Sequence, residues 1–252
     1  MDSTLIVNGD IKYDGLRLIG SELCANRDIK TLKIRNVDLY GHRLEILIEY
    51  LIFSSIEHLK IINSSLRDED LGCFERYLIQ TGILKSLYLD GNLLTADGIK
   101  PIIRAVPAGL YCTLTTLSLS GNMIGCYGLH QMSKILDRTL LVNLYLSNCN
   151  LSIIADEFLK TLSRNYNLEI LDLSHNPIGD KDICKIGGMI AINSTLKHIN
   201  LKSIYMFNRG LKALVDGVKT NSTLDSLLLD GSFDDERDQL LVFEIQYRFK
   251  KN

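Results

Sequence analysis

The stretch Leu84-Lys-Ser-Leu87-Tyr-Leu89-Asp-Gly-Asn92-Leu-Leu94 decides the architecture, because it comes back twice along the chain. It returns as Leu114-Thr-Thr-Leu117-Ser-Leu119-Ser-Gly-Asn122-Met-Ile124 and as Leu168-Glu-Ile-Leu171-Asp-Leu173-Ser-His-Asn176-Pro-Ile178. All three obey L-x-x-L-x-L-x-x-N-x-L. Weaker copies fill the intervals. Leu141, Leu144, Leu146, Cys149 and Leu151 fit with Cys in the Asn slot. Three further sets keep the apolar positions and lack the Asn: Ile29, Leu32, Ile34, Val37, Leu39; Ile56, Leu59, Ile61, Ser64, Leu66; and Leu196, Ile199, Leu201, Ile204, Met206. Leu224, Leu227 and Leu229 keep only the first half. Leu5, which lies 27 residues before Leu32, opens a truncated first copy with Val7, and the count reaches nine. Self-similarity of this kind outranks any single local signal.

From Ile29 the steps between first positions are 27, 28, 30, 27, 27, 28 and 28 residues, room for a strand and a full helix per copy. Within a copy, Leu87 and Leu89 alternate with Tyr88, the period of a strand, so the leucines point inward and the residue between them outward. The second halves carry helical spacing instead: Leu129, Met132, Ile135, Leu136; Phe158, Leu159, Leu162; and Leu211, Leu214, Val215, Val218. The motif Asn has the chemistry to bond loop backbone groups that burial would otherwise orphan. Cys149 does this less well, and Val37 or Ile204 not at all, so their loops must be bridged differently. A second Asn recurs three residues before the first leucine, at positions 26, 165, 193 and 221. It predicts a left-handed helix end. That accounts for the Asn-Ser-Thr sequons at Asn193 and Asn221 better than glycosylation does.

The motif and its step length resemble the leucine-rich repeats of the ribonuclease-inhibitor-like class, which includes ribonuclease inhibitors, the Ran GTPase-activating proteins and the sensor ends of NOD-like receptors. The resemblance implies an α/β fold: a curved solenoid, or horseshoe, with parallel strands on the concave face and helices on the convex one. Strands stack about 4.8 Å apart and helices need about 8–10 Å, so the array must bend. The expected organisation is one domain over residues 1–252, with a truncated repeat at 1–28 and a capping helix at 232–252. Ser232 and Asp235 look like that helix's start, and Leu241, Ile245, Phe249 with Leu240, Phe243, Tyr247 form a broad apolar stripe.

Composition excludes several classes. The 252 residues carry 28 Lys plus Arg against 30 Asp plus Glu, a net charge of −2, unlike a protein built to bind nucleic acid or anionic membrane. The apolar fraction is 46% and the mean hydropathy +0.09, which excludes general disorder. No apolar run reaches membrane-spanning length, and the opening residues do not read as a secretory signal. The six cysteines form no C-x-x-C pair and suit a reducing compartment, so the expected location is intracellular, in the cytoplasm.

Catalytic and phosphate-binding motifs are absent, and no cofactor, metal or small-molecule substrate is implied. His175 and His198 fall on neighbouring copies near Asp172, a set conceivable as a metal or acid–base site, but no further ligand or nucleophile converges by register. The informative residues are those projecting from the strands. At the N-terminal end they form a basic patch of Lys33, Arg35, His58 and Lys60. Further on come Tyr88, Asp90, Tyr145, Asp172, His175, His198, Lys202, Tyr205 and Phe233, with Ser118, Ser120 and Gly121 leaving room among them. Aromatics set among small polar groups are the composition of a protein-binding surface.

The expected function is therefore that of a non-enzymatic scaffold or adaptor that binds a protein partner on the concave face, as an inhibitor or regulatory subunit among other roles. Two alternatives follow from the resemblance: a GTPase activator like the Ran activators, whose loop arginine and acidic tail this chain lacks, or the sensing repeats of a NOD-like receptor. The basic end leaves a salt-sensitive nucleic-acid or ribosome contact open.

Overall fold

The computed structural model describes residues 3–108, 113–230 and 236–250, which fall into two compact units. The first unit comprises the residues up to Ile124 together with Arg138–Leu141; the second comprises Gly125–Asp137 and the residues from Val142 onward. In the first, the elements run β1 (Ser3–Asn8), α1 (Tyr13–Ala25), β2 (Ile29–Arg35), α2 (His42–Leu51), β3 (His58–Ile62), a 3-10 turn (Asp68–Leu71), α3 (Gly72–Thr81), β4 (Ser86–Tyr88), α4 (Lys100–Ala108) and β5 (Thr116–Ser118). In the second they run α5 (Gly125–Leu136), β6 (Asn143–Tyr145), α6 (Asp156–Leu162), β7 (Ile170–Asp172), α7 (Asp180–Ile192), β8 (His198–Asn200), α8 (Asn208–Thr220), β9 (Ser226–Leu228) and α9 (Glu236–Lys250).

Within each unit every strand pairs in parallel with the strand of the next copy, and the motif residues set the register. Leu5, Leu32, Leu59, Leu87 and Leu117 lie side by side in the first unit. Leu144, Leu171, Ile199 and Leu227 do so in the second. The inner motif positions Leu32, Ile34, Leu59, Ile61, Leu87, Leu89, Leu144 and Leu146 expose 0% of their surface. The helical rows predicted from spacing supply the other wall: Leu129, Met132, Ile135 and Leu136 on α5, Phe158, Leu159 and Leu162 on α6, and Leu211, Leu214, Val215 and Val218 on α8 are all buried. A strand alone has nowhere to bury its leucines; the helix of its own copy and the neighbouring copies cover them together.

Each strand leaves through a tight turn at one fixed place. The residue four after the first inner leucine is Gly9, Asn36, Asn63, Gly91, Gly121, Asn148, His175 or Ser203, and all eight have positive φ. Glycine pays no steric penalty there and Asn little. His175 and Ser203 are held in the same conformation by the turn around them.

The motif asparagines behave as their chemistry requires. Buried Asn92 donates from Nδ2 to the carbonyls of Ile61 at 2.9 Å and Leu89 at 2.8 Å, while its Oδ1 accepts from the amides of Ser64 and Leu66. Asn122 repeats this on Leu89 and Leu119. Where the Asn is missing, the loops are closed by other groups. Beyond Val37, Asp70 accepts from the Gly41 amide at 2.6 Å and Arg43 donates to the Asp38 carbonyl at 3.0 Å. Beside Ile204, Asp230 accepts from Ser203 and Asp180 from the Phe207 amide.

The second asparagine series differs from expectation. Asn26, Asn193 and Asn221 do not adopt the left-handed conformation; their φ values are −102°, −65° and −81°. Asn165, Asn193 and Asn221 are buried, and their side chains tie copies together instead. Their Nδ2 atoms donate to the carbonyls of Leu136, Leu162 and Ile190, and their Oδ1 atoms accept from Leu168, Leu196 and Leu224 at 2.7 Å. The reason is again backbone satisfaction, since the last carbonyls of the preceding helix have no partner within it.

Helices α7 and α8 meet through glycines. A Cβ at Gly217 would stand 2.3 Å from the Gly187 carbonyl oxygen, and one at Gly187 would stand 2.4 Å from that of Ala213. Gly188, next along α7, faces open space. Gly217→Ala should therefore cost about 1–3 kcal/mol by forcing the helices apart, while Gly188→Ala should gain about 0.5–1 kcal/mol. Thermal melts of both variants check this; equal effects would contradict the packing.

At the far end of the second unit, α9 lies against α8. Ile245 is buried, Lys219 pairs with Glu244 at 2.6 Å, and Arg248 donates to the Asn221 carbonyl. Only part of the expected stripe is used: Leu241 and Phe249 are half-buried, whereas Leu240, Phe243 and Tyr247 remain outward. The helix start expected at Ser232 and Asp235 lies outside the described residues.

Candidate functional site

The strands carry the predicted residues on the face away from the helices, and each unit has its own set. In the first unit Lys33, Lys60, Tyr88 and Ser118 are neighbours across β2 to β5, with Thr31, His58, Ser86 and Thr116 in the row beside them. The Lys60 ammonium sits 4.2 Å from the Tyr88 ring centroid, a cation–π contact, so one face of that ring is covered. The Nδ1 atom of His58 lies 2.9 Å from Ser86 Oγ. Asp90 accepts from Ser118 Oγ and from the Ser120 amide at 3.1 Å. Ser118, Ser86 and Thr116 are all buried, so the open floor of small residues expected around Ser118 is partly closed.

Burial holds the Asp90 carboxyl above its ordinary range, against the pull of the Ser118 and Ser120 hydrogen bonds and of Lys60. A carboxyl raised in the folded state favours folding below its unfolded value, and that contribution is lost as pH rises through the raised value. Asp90→Asn keeps an oxygen for both donors. It should leave the chain as stable or more stable at neutral pH, with the difference vanishing in acid, a result that denaturant titrations at several pH values would test.

In the second unit Tyr145, Asp172, Asn200 and Leu228 are neighbours across β6 to β9, flanked by Asn143, Ile170, His198 and Ser226. Asp172 is the hub. Its Oδ1 accepts from the Ser174 amide at 2.9 Å and hydroxyl at 2.6 Å, and its Oδ2 from Asn200 Nδ2 at 3.1 Å. The half-buried Tyr145 phenol is pushed up, first by burial and then by the charge of Asp172. His198 pairs with Ser226 at 2.8 Å.

The remaining predicted residues line the turns that leave the strands. His175 is exposed, and its amide donates to the Lys202 carbonyl at 2.9 Å. His175, Pro177, Ser203, Tyr205 and Asn148, with the edge of Asn176, enclose a shallow cleft of about 540 Å³. Tyr205 is 73% exposed at its rim. Asn148, Pro177 and Ser203 were not singled out from sequence. The signal that would have found Asn148 and Ser203 is their position four residues after the first inner residue of their copies, Leu144 and Ile199, the turn position that His175 also occupies. Phe233 lies outside the described residues.

Asp172 is engaged by Ser174 and Asn200, and His198 by Ser226. Among the described residues no three His, Cys, Asp or Glu side chains gather as a metal site, and no helix is long and apolar enough to cross a membrane. What the faces offer is hydrogen-bonding groups, charge and aromatic surface on a rigid frame, which is the chemistry of recognition.

Comparison with known proteins bears on the class. The Leucine Rich Repeat family model matches residues 140–162 and 167–189. Those segments are leucine-rich repeats, the chain is similar to proteins of the ribonuclease-inhibitor-like class, and each unit has the fold of an α/β leucine-rich-repeat solenoid. The chain is 26% identical to the ribonuclease inhibitor of Sus scrofa over 90% of this chain and 51% of that protein. It is also 26% identical to NACHT, LRR and PYD domains-containing protein 5 of Bos taurus, over 88% of this chain and 23% of that protein. The chain thus spans about half the length of the first relative and about a quarter of the second. Among solved structures, an internalin (inlF) from Listeria monocytogenes superposes with a TM-score of 0.53 at 18% identity, covering 84% of this chain and 57% of that one; it shares the fold.

Proposed function

We propose that the chain is a non-enzymatic, intracellular scaffold that holds a protein partner on its strand face. The observation that carries this is the set on the second unit: Tyr145 beside Asp172 on the strands, and exposed Tyr205 with His175 around the cleft. Aromatics anchored on a rigid sheet lose little freedom on binding, and tyrosines dominate binding energy at protein interfaces. Lys202, exposed beside them, supplies the polar rim. The similarity to ribonuclease inhibitor supports binding as the mode of action. The described cysteines 24, 73, 126, 149 and 184 are free thiols, which suits a reducing compartment.

The test is affinity capture from native lysate with the wild type beside a Tyr145→Ala, Tyr205→Ala variant, both checked for folding. A partner captured by the wild type and lost by the variant supports the site. A partner held equally by both places binding elsewhere and overturns it. The match to NACHT, LRR and PYD domains-containing protein 5 favours a second reading, in which these repeats are the sensing part of a longer protein; the full reading frame of the transcript decides that.

A further inference from the structure

The strand face of the first unit concentrates positive charge. Lys33 and Lys60 are direct cross-strand neighbours, and Arg35 stands two residues on from Lys33 along β2. Neighbouring parallel strands are about 4.8 Å apart, so the like charges are held close by the sheet itself, an arrangement that works against folding. Among the described residues none of the three enters an ion pair. Of the carboxylates around them, Glu57, just before β3, bridges Lys85 at 2.6 Å and Lys30 at 3.6 Å, and Asp90 accepts from Ser118 and Ser120 and feels the Lys60 charge without forming an ion pair with it. The Lys33 ammonium is held below its ordinary value by partial desolvation and by the fields of Arg35 and Lys60.

Aliphatic surface is interleaved with this charge. Ile6 pairs with Lys33 across β1 and β2 and is 57% exposed. Ile62 pairs with Arg35 across β2 and β3 and is half-buried. The resulting row is Ile6, Lys33, Lys60, Tyr88, with Arg35 and Ile62 beside it.

We infer that this face takes an acidic protein segment that also carries apolar side chains. Its carboxylates lie among Lys33, Arg35 and Lys60, and its aliphatic groups lie on Ile6 and Ile62. The inference rests on the reading of the strand face as a protein-binding surface and adds the chemistry of what binds. Charge complementarity selects an anionic partner. The interleaved isoleucines select a polypeptide over a nucleic acid, because they offer nothing to phosphate, and one face of the row's aromatic ring is already covered by Lys60 rather than open to a base.

The test is fluorescence anisotropy on the full chain at physiological salt. The probes are a labelled peptide of repeating Glu-Leu-Glu-Ser, its Lys-Leu-Lys-Ser counterpart and a labelled single-stranded oligonucleotide. The acidic peptide should bind and the basic one should not. Lys33→Glu with Lys60→Glu should weaken the acidic peptide by about tenfold or more, and Ile6→Ser by about threefold. Lys33→Glu alone should raise Tm by about 1–3 °C, since it turns a repelling pair into an attracting one, and should itself weaken the acidic peptide; the double reversal restores a like-charge pair and should keep Tm near that of the wild type, so weaker binding by either variant is not loss of the fold. Tighter binding of the oligonucleotide than of the acidic peptide, or an acidic-peptide affinity unmoved by the double reversal, overturns the inference. If the acidic peptide fails while partner capture still depends on Tyr145 and Tyr205, this inference falls and the scaffold reading stands. If both fail, the scaffold reading falls with it.

Discussion

Asn176→Ala is expected to destabilise the chain by about 4 kcal/mol or more, among the largest effects of any single truncation outside the apolar core. One buried amide serves five backbone groups. Its Oδ1 accepts from the amides of Cys149 at 2.8 Å and Leu151 at 3.0 Å. Its Nδ2 donates to the carbonyls of Leu146 at 2.7 Å, Leu173 at 2.9 Å and Ser174 at 3.1 Å. The Ser174 carbonyl also accepts from the Asn148 amide at 3.0 Å, so truncation strips the partner from the other four, in a site that the side chain filled; each buried group left unpaired costs about 1–3 kcal/mol unless water enters. Asn176→Asp keeps the acceptor and loses the donor, so it separates the two halves of the effect. Urea titrations give both values. A loss below about 1 kcal/mol for the alanine variant would mean that the loop backbone is already solvated and that the asparagine ladder does not hold it.

The second large effect comes from a pair of adjacent residues. Leu144→Ala should cost about 2–5 kcal/mol, because Leu144 exposes 0% of its surface within the core. Tyr145→Ala, one residue on, should cost far less in stability, since its ring stands on the strand face and is only half-buried. It should instead weaken a partner by about 2 kcal/mol or more, as truncation of an anchoring tyrosine does. Denaturation measures the first and partner titration the second. If the two variants lost equal stability, the strand register described for β6 would be wrong.

These two experiments address different levels of organisation, and the sequence reached them unequally. The alternation around Tyr88 and Tyr145 was legible directly, since a strand has a period of two and a leucine on one side leaves its neighbour on the other. The role of Asn92, Asn122 and Asn176 was legible too, because a buried turn must find partners for its amides and carbonyls. The asparagines at 165, 193 and 221 were found as a series, but their conformation was misjudged. Asn is compatible both with a left-handed residue and with an extended one whose side chain reaches the preceding helix. Only the position of the neighbouring copy selects between them.

The candidate site shows the same division. Sequence placed Lys33, Lys60 and Tyr88 on one face, and Tyr145, Asp172 and Asn200 on one face. It did not place Lys60 over the Tyr88 ring or Ser118 under Asp90, because those contacts are made between side chains some 28 residues apart and depend on rotamers. Nor did it distinguish Leu240, Phe243 and Tyr247 from Leu241, Ile245 and Phe249 on α9. Helical spacing supplies a broad stripe, and only the seat of that helix on α8 decides which part is covered.

What the sequence by itself determined is the repeat: its length, its strand and helix halves, its inward leucines and its bridging asparagines. Those features are local and recur, so each copy repeats the same evidence. What only the tertiary structure decided is how the outward side chains pair, which turns bend left-handed at His175 and Ser203, and how closely α7 meets α8 at Gly187 and Gly217. Outward residues are free of the packing constraint that makes the leucines repeat, so their chemistry depends on neighbours that the chain brings together only by stacking one copy on the next.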